Sequence, residues 1–229
     1  MPKIIGPKEA FTITPTKNIV LITSAIFVSD MPLAYSKIRS IYSHEERLEQ
    51  LKKTILSVRA KISDAVIILL ETSDASGLDF NDEVLNKLDF VVEFFKDHKL
   101  KKISEGPYKG AAELYMLRRT VKRLKYSQFD FLHKISGRYF LNEKYQNYFS
   151  PDQYAFVKRE GVLSTRYYVV PHKFLGNFLI KLLFIFNFAR IRNFAIERLF
   201  AIFFTKNIDF RNPIGLSGNV AVDGSLIQE

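Results

Sequence analysis

The chain has 229 residues, of which 47% are hydrophobic and 25% charged, and its formal net charge is +10. This length and balance predict one globular domain and exclude a disordered chain. The absence of cysteine excludes a disulfide scaffold, a cysteine-ligated zinc site and a thiol nucleophile. The excess of positive charge predicts an anionic partner, which could be a nucleotide diphosphate, an anionic lipid or a nucleic acid.

The first half of the chain predicts strands and helices in alternation. Apolar runs typical of buried parallel strands occur at 18–25, 64–71 and 88–94. Ser43 and Glu46 have the spacing of a capping box, and the apolar residues that follow have the period of a helix over 43–62. A short helix is expected over 81–87, and a polar, basic loop over 96–107.

The second half continues this order and then becomes less regular. The predicted elements are a helix at 110–125, strands at 129–135, 154–158 and 164–170, helices at 174–189 and 193–204, and a turn-rich segment at 215–224. Alternation of this kind predicts an α/β fold with a doubly wound, mostly parallel sheet and a helical C-terminal part. The last two helices are rich in Phe and basic residues, so they are expected either to pack on the sheet or to lie on a membrane surface.

The N-terminus has no apolar core of the signal-peptide type, and no run of 18 apolar residues occurs anywhere in the chain. Neither a secretory leader nor a conventional spanning helix is therefore expected. We expect a cytoplasmic protein, with peripheral attachment to the inner face of a membrane as the variant that the two C-terminal helices allow.

The segment 129–141, which reads FDFLHKISGRYFL, contains the clearest candidate for a binding site. It begins as a strand and breaks at Ser136 and Gly137, between the cations Lys134 and Arg138. Ligands of open α/β sheets bind beyond the carboxyl ends of strands, and cations there favour an anionic ligand over a bare metal ion. The alternative is an ordinary glycine turn in which Arg138 pairs with a surface acid and Tyr139 packs in the core.

The sequence Lys-Ile-Ser-Gly-Arg-Tyr at 134–139 resembles the motif that replaces Asp-x-Asp in a group of small GT-A-type glycosyltransferases of bacterial and viral surface glycans. The resemblance covers about 18–139 and includes the segment 218–224. It implies a single GT-A-like domain over 1–229, with a nucleotide-binding core at 18–140 and an acceptor-side, helical part at 141–229.

The resemblance also implies an activity: a hexosyl-type transfer from a nucleotide-sugar donor to a glycan or lipid-linked acceptor, in polysaccharide synthesis. Lys134 and Arg138 would neutralise the diphosphate directly, as an arginine fork does for phosphate. No cofactor is therefore expected, and a divalent cation stays open but is not favoured. An anionic membrane surface is a further partner that this activity allows, and nucleic acid is not expected.

The substrate site implied by the resemblance, for donor and acceptor together, is spread over strand ends and helix starts. The residues assigned to substrate binding are Thr23, Ser24, Arg39, Arg47, Glu71, Lys109, Gly110, Glu113, Lys134, Ser136, Gly137, Arg138, Tyr139, Arg166 and Asn219. An inverting transferase also needs a carboxylate that deprotonates the acceptor hydroxyl, and Asp223 and Glu197 are the candidates. Each has an ordinary alternative, since Asp223 opens an Asp-Gly turn and Glu197 has arginine neighbours.

Two other functional classes stay open at the level of sequence. The basic helix at 109–125, with abundant Tyr and Phe for stacking, would suit a nucleic-acid-binding module. A catalytically inactive, membrane-associated scaffold would need only the fold. The sequence has no P-loop, no Gly-x-Gly-x-x-Gly, no Gly-x-Ser-x-Gly elbow and no His-Glu-x-x-His motif.

Overall fold

A computed structural model describes residues 1–28, 37–104, 109–192 and 194–229, without the side chains of Lys109, Ile191 and Arg192. The strands are β1 (Lys3–Ile5), β2 (Asn18–Ser24), β3 (Ala65–Glu71), β4 (Phe90–Glu93), β5 (Phe131–Ser136), β6 (Tyr139–Leu141), β7 (Tyr154–Arg159), β8 (Val162–Pro171), β9 (Ile208–Phe210), β10 (Leu216–Asn219) and β11 (Leu226–Gln228). The helices are α1 (His44–Lys61), α2 (His98–Ser104), α3 (Lys109–Leu124), α4 (Leu175–Arg192) and α5 (Ile196–Phe203).

The central sheet has eight strands in the order β1-β4-β3-β2-β5-β8-β7-β9. Strands β1 to β5 run parallel, β8 joins antiparallel to both β5 and β7, and β9 pairs parallel with β7. The expected mostly parallel sheet is therefore confirmed. Because β2, β3, β4 and β5 all point the same way, their carboxyl ends open at one edge of the sheet.

The side chains of β2 alternate between two hydrophobic clusters, one on each face of the sheet. Ile19 and Leu21 belong to a cluster formed with α3, α4 and α5, whereas Val20 and Ile22 belong to a cluster formed with α1. Successive side chains of a strand point to opposite faces, so a continuous apolar run is what a strand covered on both sides requires. Both faces of the parallel sheet are covered by helices.

The capping box predicted for α1 is present. The Ser43 hydroxyl accepts a hydrogen bond from the Glu46 N–H at 3.2 Å, and the Glu46 carboxylate accepts one from the Ser43 N–H at 2.7 Å. These bonds satisfy two amide groups that a helix start leaves without partners. The capping box therefore fixes the start of α1, and Arg47 lies in the first turn of this helix.

Two local predictions were wrong. The segment 96–107 was expected to be a loop, but it contains α2, which begins where the Asp97 carboxylate accepts the N–H groups of Lys99 and Leu100 at 3.1 Å. Leu100 is buried and anchors this short helix to the core. Conversely, the helix expected over 81–87 is only a 3₁₀ turn at Leu85–Lys87.

Four short strands, β1, β6, β9 and β11, were not predicted, because three residues are too few to show a period. β1 pairs with β4 at the sheet edge, and β9 pairs with β7. β6 pairs with β10, which pairs in turn with β11. This second sheet anchors the turn between β5 and β6 through the pairing of β6 with β10. A Cβ on Gly218 would lie 2.5 Å from the Arg138 carbonyl oxygen, so no side chain fits between the two strands at that position.

A chain of buried polar groups crosses the core beside β5. His133 Nε2 lies 3.0 Å from the Asn18 Oδ1 acceptor, and His133 Nδ1 lies 2.8 Å from the Tyr167 hydroxyl, which is 2.8 Å from the Tyr145 hydroxyl. Since Asn18 Oδ1 can only accept, Nε2 carries the proton and Nδ1 accepts from Tyr167. Burial lowers the pKa of His133 from 6.5 to about 3, so the ring is neutral in the folded protein.

The neutral His133 predicts a loss of stability in mild acid. Above pH 6.5 both states hold a neutral ring; below it the unfolded chain takes up a proton that the folded protein excludes until about pH 3. The free energy of unfolding should therefore fall by up to about 1.4 kcal/mol per pH unit in this window. Urea denaturation of wild type and His133→Gln between pH 7 and 5 measures the difference, in which His44, His98 and His172 cancel. Equal slopes would show that His133 is not buried in the neutral form.

Candidate functional site

The carboxyl ends of β2 to β5 and the first turns of α3 surround a cleft of about 300 Å³. Its described lining consists of Thr23, Ser24, Ala25, Phe27, Val28, Arg39, Arg47, Thr72, Ser73, Asp74, Phe94, Phe95, Lys101, Ser104, Ala112, Glu113, Met116, Ser136, Gly137 and Arg138. Clefts of this size with an apolar wall and a few converging polar groups are typical of small-molecule sites. Among the described lining residues, four are cationic and two are carboxylates, so the cleft favours an anion.

The turn between β5 and β6 presents Arg138 to the cleft. The Gly137 N–H donates to the Thr23 carbonyl at 2.9 Å, which ties the turn to the end of β2. A Cβ on Gly137 would lie 3.2 Å from Leu51 Cδ1 of α1, so a larger residue here would require Leu51 to shift by a few tenths of an ångström. Arg138 Nη1 is shielded from solvent and has no hydrogen-bond partner among the described residues. A guanidinium nitrogen in this state is suited to an acceptor that enters the cleft.

Arg47 forms part of the wall and is already engaged. Its side chain is buried, its Nε donates to the Ala25 carbonyl at 2.7 Å, and its Nη1 donates to the Ser40 hydroxyl at 3.1 Å. Burial, followed by the positive charge of Arg138, lowers the pKa of Arg47 to about 10. The guanidinium stays charged at neutral pH, so Arg47 adds positive potential while it holds the end of β2 in place.

Arg39 connects the cleft to α2. It is buried and lines the cleft, and its Nη1 donates to the Ser104 carbonyl at 2.8 Å, at the last residue of α2. Lys101 of the same helix also lines the cleft. The helix that the sequence did not predict therefore supplies one of the cations and fixes another.

Lys134 stands behind the cleft, not in its lining. Its side chain is 1% exposed, and its Nζ forms an ion pair with Glu113 and donates to the Ser136 hydroxyl at 2.8 Å and the Thr165 carbonyl at 2.5 Å. Burial lowers the pKa of Lys134, and the charge of Glu113 opposes that shift. The geometry makes Lys134 a support for Glu113 and Ser136, both of which line the cleft.

Glu71 at the end of β3 organises the neighbouring loop. It is fully buried, and its Oε1 accepts from the Ser73 N–H at 2.9 Å, the Ser73 hydroxyl at 2.5 Å and the Ile26 N–H at 3.2 Å. Its Oε2 has no hydrogen-bond partner within the described part of the chain. Thr23, Ser24 and Ser73 line the cleft around it.

Several residues predicted for the site lie outside the described lining. Tyr139 is buried in the core, where its hydroxyl accepts from Arg166 Nε at 3.1 Å, and Arg166 Nη1 binds Glu229 at 2.6 Å. Asn219 donates to the Gly224 carbonyl at 3.0 Å inside its own turn. These contacts hold the β5–β6 turn and the C-terminal sheet together, so their assignment to substrate binding stays a prediction.

The two carboxylates predicted as catalytic also lie away from the lining. Asp223 is exposed, and hydrogen bonds from the Ser225 N–H and hydroxyl lower its pKa. Glu197 accepts from the Thr165 hydroxyl at 3.2 Å. The described lining contains two other carboxylates, Asp74 and Glu113. A catalytic role for Asp223 or Glu197 stays a prediction.

The start of α3 brings Gly110 against α5. A Cβ on Gly110 would lie 2.6 Å from Ile196 Cγ2, which explains a glycine in the first turn of a helix. The side chain of Lys109 lies outside the described residues, so its assignment to substrate binding also stays a prediction. Within the described residues, no group of three or more His, Cys, Asp or Glu side chains could hold a metal ion.

Sequence reasoning missed the apolar wall of the cleft. Phe94 and Phe95 directly follow β4, Phe27 follows β2, and Met116 lies one turn after Ala112 on α3. The rule that identified Ser136 and Arg138, namely that parallel strand ends share one edge, applies equally to Phe94 and Phe95. Asp74 follows β3 and could have been found in the same way.

No protein-family model and no curated protein matches this chain by sequence. Among solved structures, the apo form of the glycosyltransferase GlyE from Streptococcus pneumoniae TIGR4 is similar, with a TM-score of 0.50, 10% identity, and coverage of 84% of this chain and 44% of that chain. A second structure of GlyE gives a TM-score of 0.48 at 10% identity, with coverage of 85% and 45%. The chain thus spans less than half the length of these proteins. The likeness to the apo form, together with the observed sheet, confirms the predicted α/β, GT-A-like fold class.

Proposed function

We propose that this chain is a glycosyltransferase that moves a sugar from a nucleotide-sugar donor to a glycan or lipid-linked acceptor. The observation that carries the proposal is Arg138 Nη1, which is buried without a described partner in a cationic cleft at the strand ends. Arg39, Arg47 and Lys101 add positive charge to the same cleft. The fold supports the proposal, because the same fold occurs in a glycosyltransferase, although fold alone does not define an activity.

The lining suggests how the donor would lie. The diphosphate would sit beside Arg138, where a planar guanidinium offers two parallel N–H groups to phosphate oxygens. The nucleoside would extend along the ends of β3 and β4, where Ser73, Phe94 and Phe95 supply polar and aromatic contacts. Glu113, which also lines the cleft, is assigned to hydroxyls of the transferred sugar.

Transfer would break the bond between the sugar C1 and the diphosphate oxygen and form one between C1 and the acceptor oxygen. The acceptor hydroxyl loses a proton to a carboxylate, and negative charge develops on the leaving diphosphate. A fixed guanidinium stabilises that charge in the transition state. Arg138 would thus serve the role that a metal ion serves at an Asp-x-Asp site, which supports a transfer that is independent of metal.

Thermal-shift measurements with UDP, GDP, CDP and CMP, each with Mn²⁺ and with EDTA, test the proposal. We expect one nucleotide to raise the melting temperature equally in both conditions. A ligand at 100 times its dissociation constant adds about 2.7 kcal/mol, which is roughly 5–10 °C for a chain of this size.

The corresponding nucleotide sugars, incubated with oligosaccharide acceptors, then show whether a sugar is transferred. A shift that requires Mn²⁺ would overturn metal independence and leave the transferase. No shift with any nucleotide would overturn the donor site, and the nucleic-acid-binding and inactive-scaffold alternatives would replace it.

A further inference from the structure

Helices α4 and α5 expose an apolar surface that is separate from the cleft lining. Its members, which we call the α4–α5 face, are Ile180, Leu183, Phe184 and Phe188 of α4 and Ile202 of α5, with exposed fractions of 58, 37, 49, 41 and 65%. On α4 they follow the spacing i, i+3, i+4 and i+8, so they form one stripe. Isolated exposed apolar residues need no explanation, but a contiguous stripe of large ones indicates a contact surface.

The opposite stripe of α4 is part of the core. Phe178, Leu182 and Ile185 are fully buried in the cluster that also contains α3 and α5. The segment His172–Arg190 is, by length and composition, long and apolar enough to cross a membrane. Crossing would pull this inner stripe out of the core, so α4 is better suited to lie along a surface than to span a bilayer.

Aromatic contacts join the two helices into one surface. The rings of Phe184 and Phe203 stack with centroids 6.1 Å apart and an interplanar angle of 9°, and Phe188 lies 5.8 Å from Phe203. Phe203 belongs to α5, so the outer sides of α4 and α5 are held in register. The face is therefore preformed in the folded protein.

The charges around this face are positive. Arg190 and Arg198 are exposed, and Lys181 is half-buried with its Nζ 4.4 Å from the centroid of the Phe204 ring. Within the described residues from 171 to 204, Glu197 is the only acid, and its carboxylate accepts the Thr165 hydroxyl. Large apolar side chains bordered by Lys and Arg are the pattern of helices that lie in the interface of anionic bilayers.

We propose that the α4–α5 face docks this protein on an anionic lipid bilayer, with α4 parallel to the membrane plane and its Phe side chains at the level of the acyl-chain boundary. Charge favours lipid over a second copy of the chain, because two such faces would bring their arginines together. The inference goes beyond the donor site and does not depend on it. It would keep the protein close to acceptors that are anchored in lipid.

Co-sedimentation with vesicles tests the proposal. We expect binding to phosphatidylcholine vesicles that contain 30% phosphatidylglycerol, and at least tenfold weaker binding to phosphatidylcholine alone or in 0.5 M NaCl. The Phe184→Ser/Phe188→Ser variant should lose at least tenfold in vesicle affinity. The matched control is Leu56→Ser/Phe210→Ser, which replaces two other exposed apolar residues, of 45 and 51% exposure, and should bind as wild type.

Circular dichroism checks that the variants are folded. The Arg190→Glu/Arg198→Glu variant tests the contribution of charge alone, because it keeps the apolar side chains but should lose the preference for vesicles that contain phosphatidylglycerol. Equal binding to both vesicle types, or none to either, would overturn the proposal. A dimer of wild type in sedimentation velocity that Phe184→Ser/Phe188→Ser dissociates would assign the face to a second copy instead. Nucleotide-induced thermal shifts in the same variants should be unchanged, so the proposed donor site and the proposed membrane contact can be refuted independently of each other.

Discussion

Arg138→Ala is expected to weaken nucleoside diphosphate binding between about 10-fold and 150-fold, because a hydrogen-bonded contact with a charged group contributes about 1.5–3 kcal/mol. The buried Nη1 has no partner among the described residues, so removing the side chain leaves the diphosphate, and not a protein group, without its donor. The stability of the protein without nucleotide should change little. Isothermal titration calorimetry with the nucleotide identified by thermal shift measures the change in the dissociation constant.

Two variants sharpen this experiment. Arg138→Lys keeps the charge but lacks the planar fork, so its affinity should lie between those of wild type and Arg138→Ala. Lys122→Ala removes the same charge from an exposed position near the C-terminal end of α3. The cleft is lined by residues from the first turns of α3, so this variant should bind the nucleotide as wild type does. If Lys122→Ala weakened binding as much as Arg138→Ala, the effect would come from net charge, and Arg138 would not be the diphosphate ligand.

Glu113→Ala is expected to destabilise the protein by about 3–5 kcal/mol, the usual cost of leaving a buried charge without its partner. The Lys134 side chain is 1% exposed, whereas that of Glu113 is 24% exposed. Removing Glu113 therefore leaves a buried ammonium group without its counter-charge, with only the Ser136 hydroxyl and the Thr165 carbonyl as acceptors. Lys134→Met should cost less, because it leaves a carboxylate that is partly hydrated and fills the space with an apolar chain of similar length.

The double variant Lys134→Met/Glu113→Ala provides the internal control for this pair. It should be more stable than Glu113→Ala alone, since the stranded charge is absent. Urea denaturation at pH 7 measures all three variants against wild type. A double variant that is less stable than both single variants would mean that the two residues do not form the buried pair described here.

The positions of Lys134 and Arg138 show which part of the site could be predicted from the sequence and which part could not. From the motif at 134–139 we predicted a cationic strand end, and we gave Lys134 and Arg138 the same role of neutralising the diphosphate. Lys134 and Ser136 are two residues apart on β5, so they share a face and the Lys134 Nζ reaches the Ser136 hydroxyl. Arg138 follows the break at Gly137 and turns into the cleft instead.

The amino-acid sequence was enough to predict the buried strands β2, β3 and β5 and the helices α1, α3, α4 and α5, because their signals are local: apolar runs, 3/4 spacing and the Ser43–Glu46 capping box. It also placed cations and a glycine at the end of β5.

Which side chains contact one another could be seen only in the folded chain. The partner of Lys134 lies on α3, the residues that brace the β5–β6 turn lie near the C-terminal end of the sequence, and α2 depends on one Asp97 cap and one buried leucine. These contacts join segments far apart in the chain, and no pattern within either segment encodes the register at which packing brings them together.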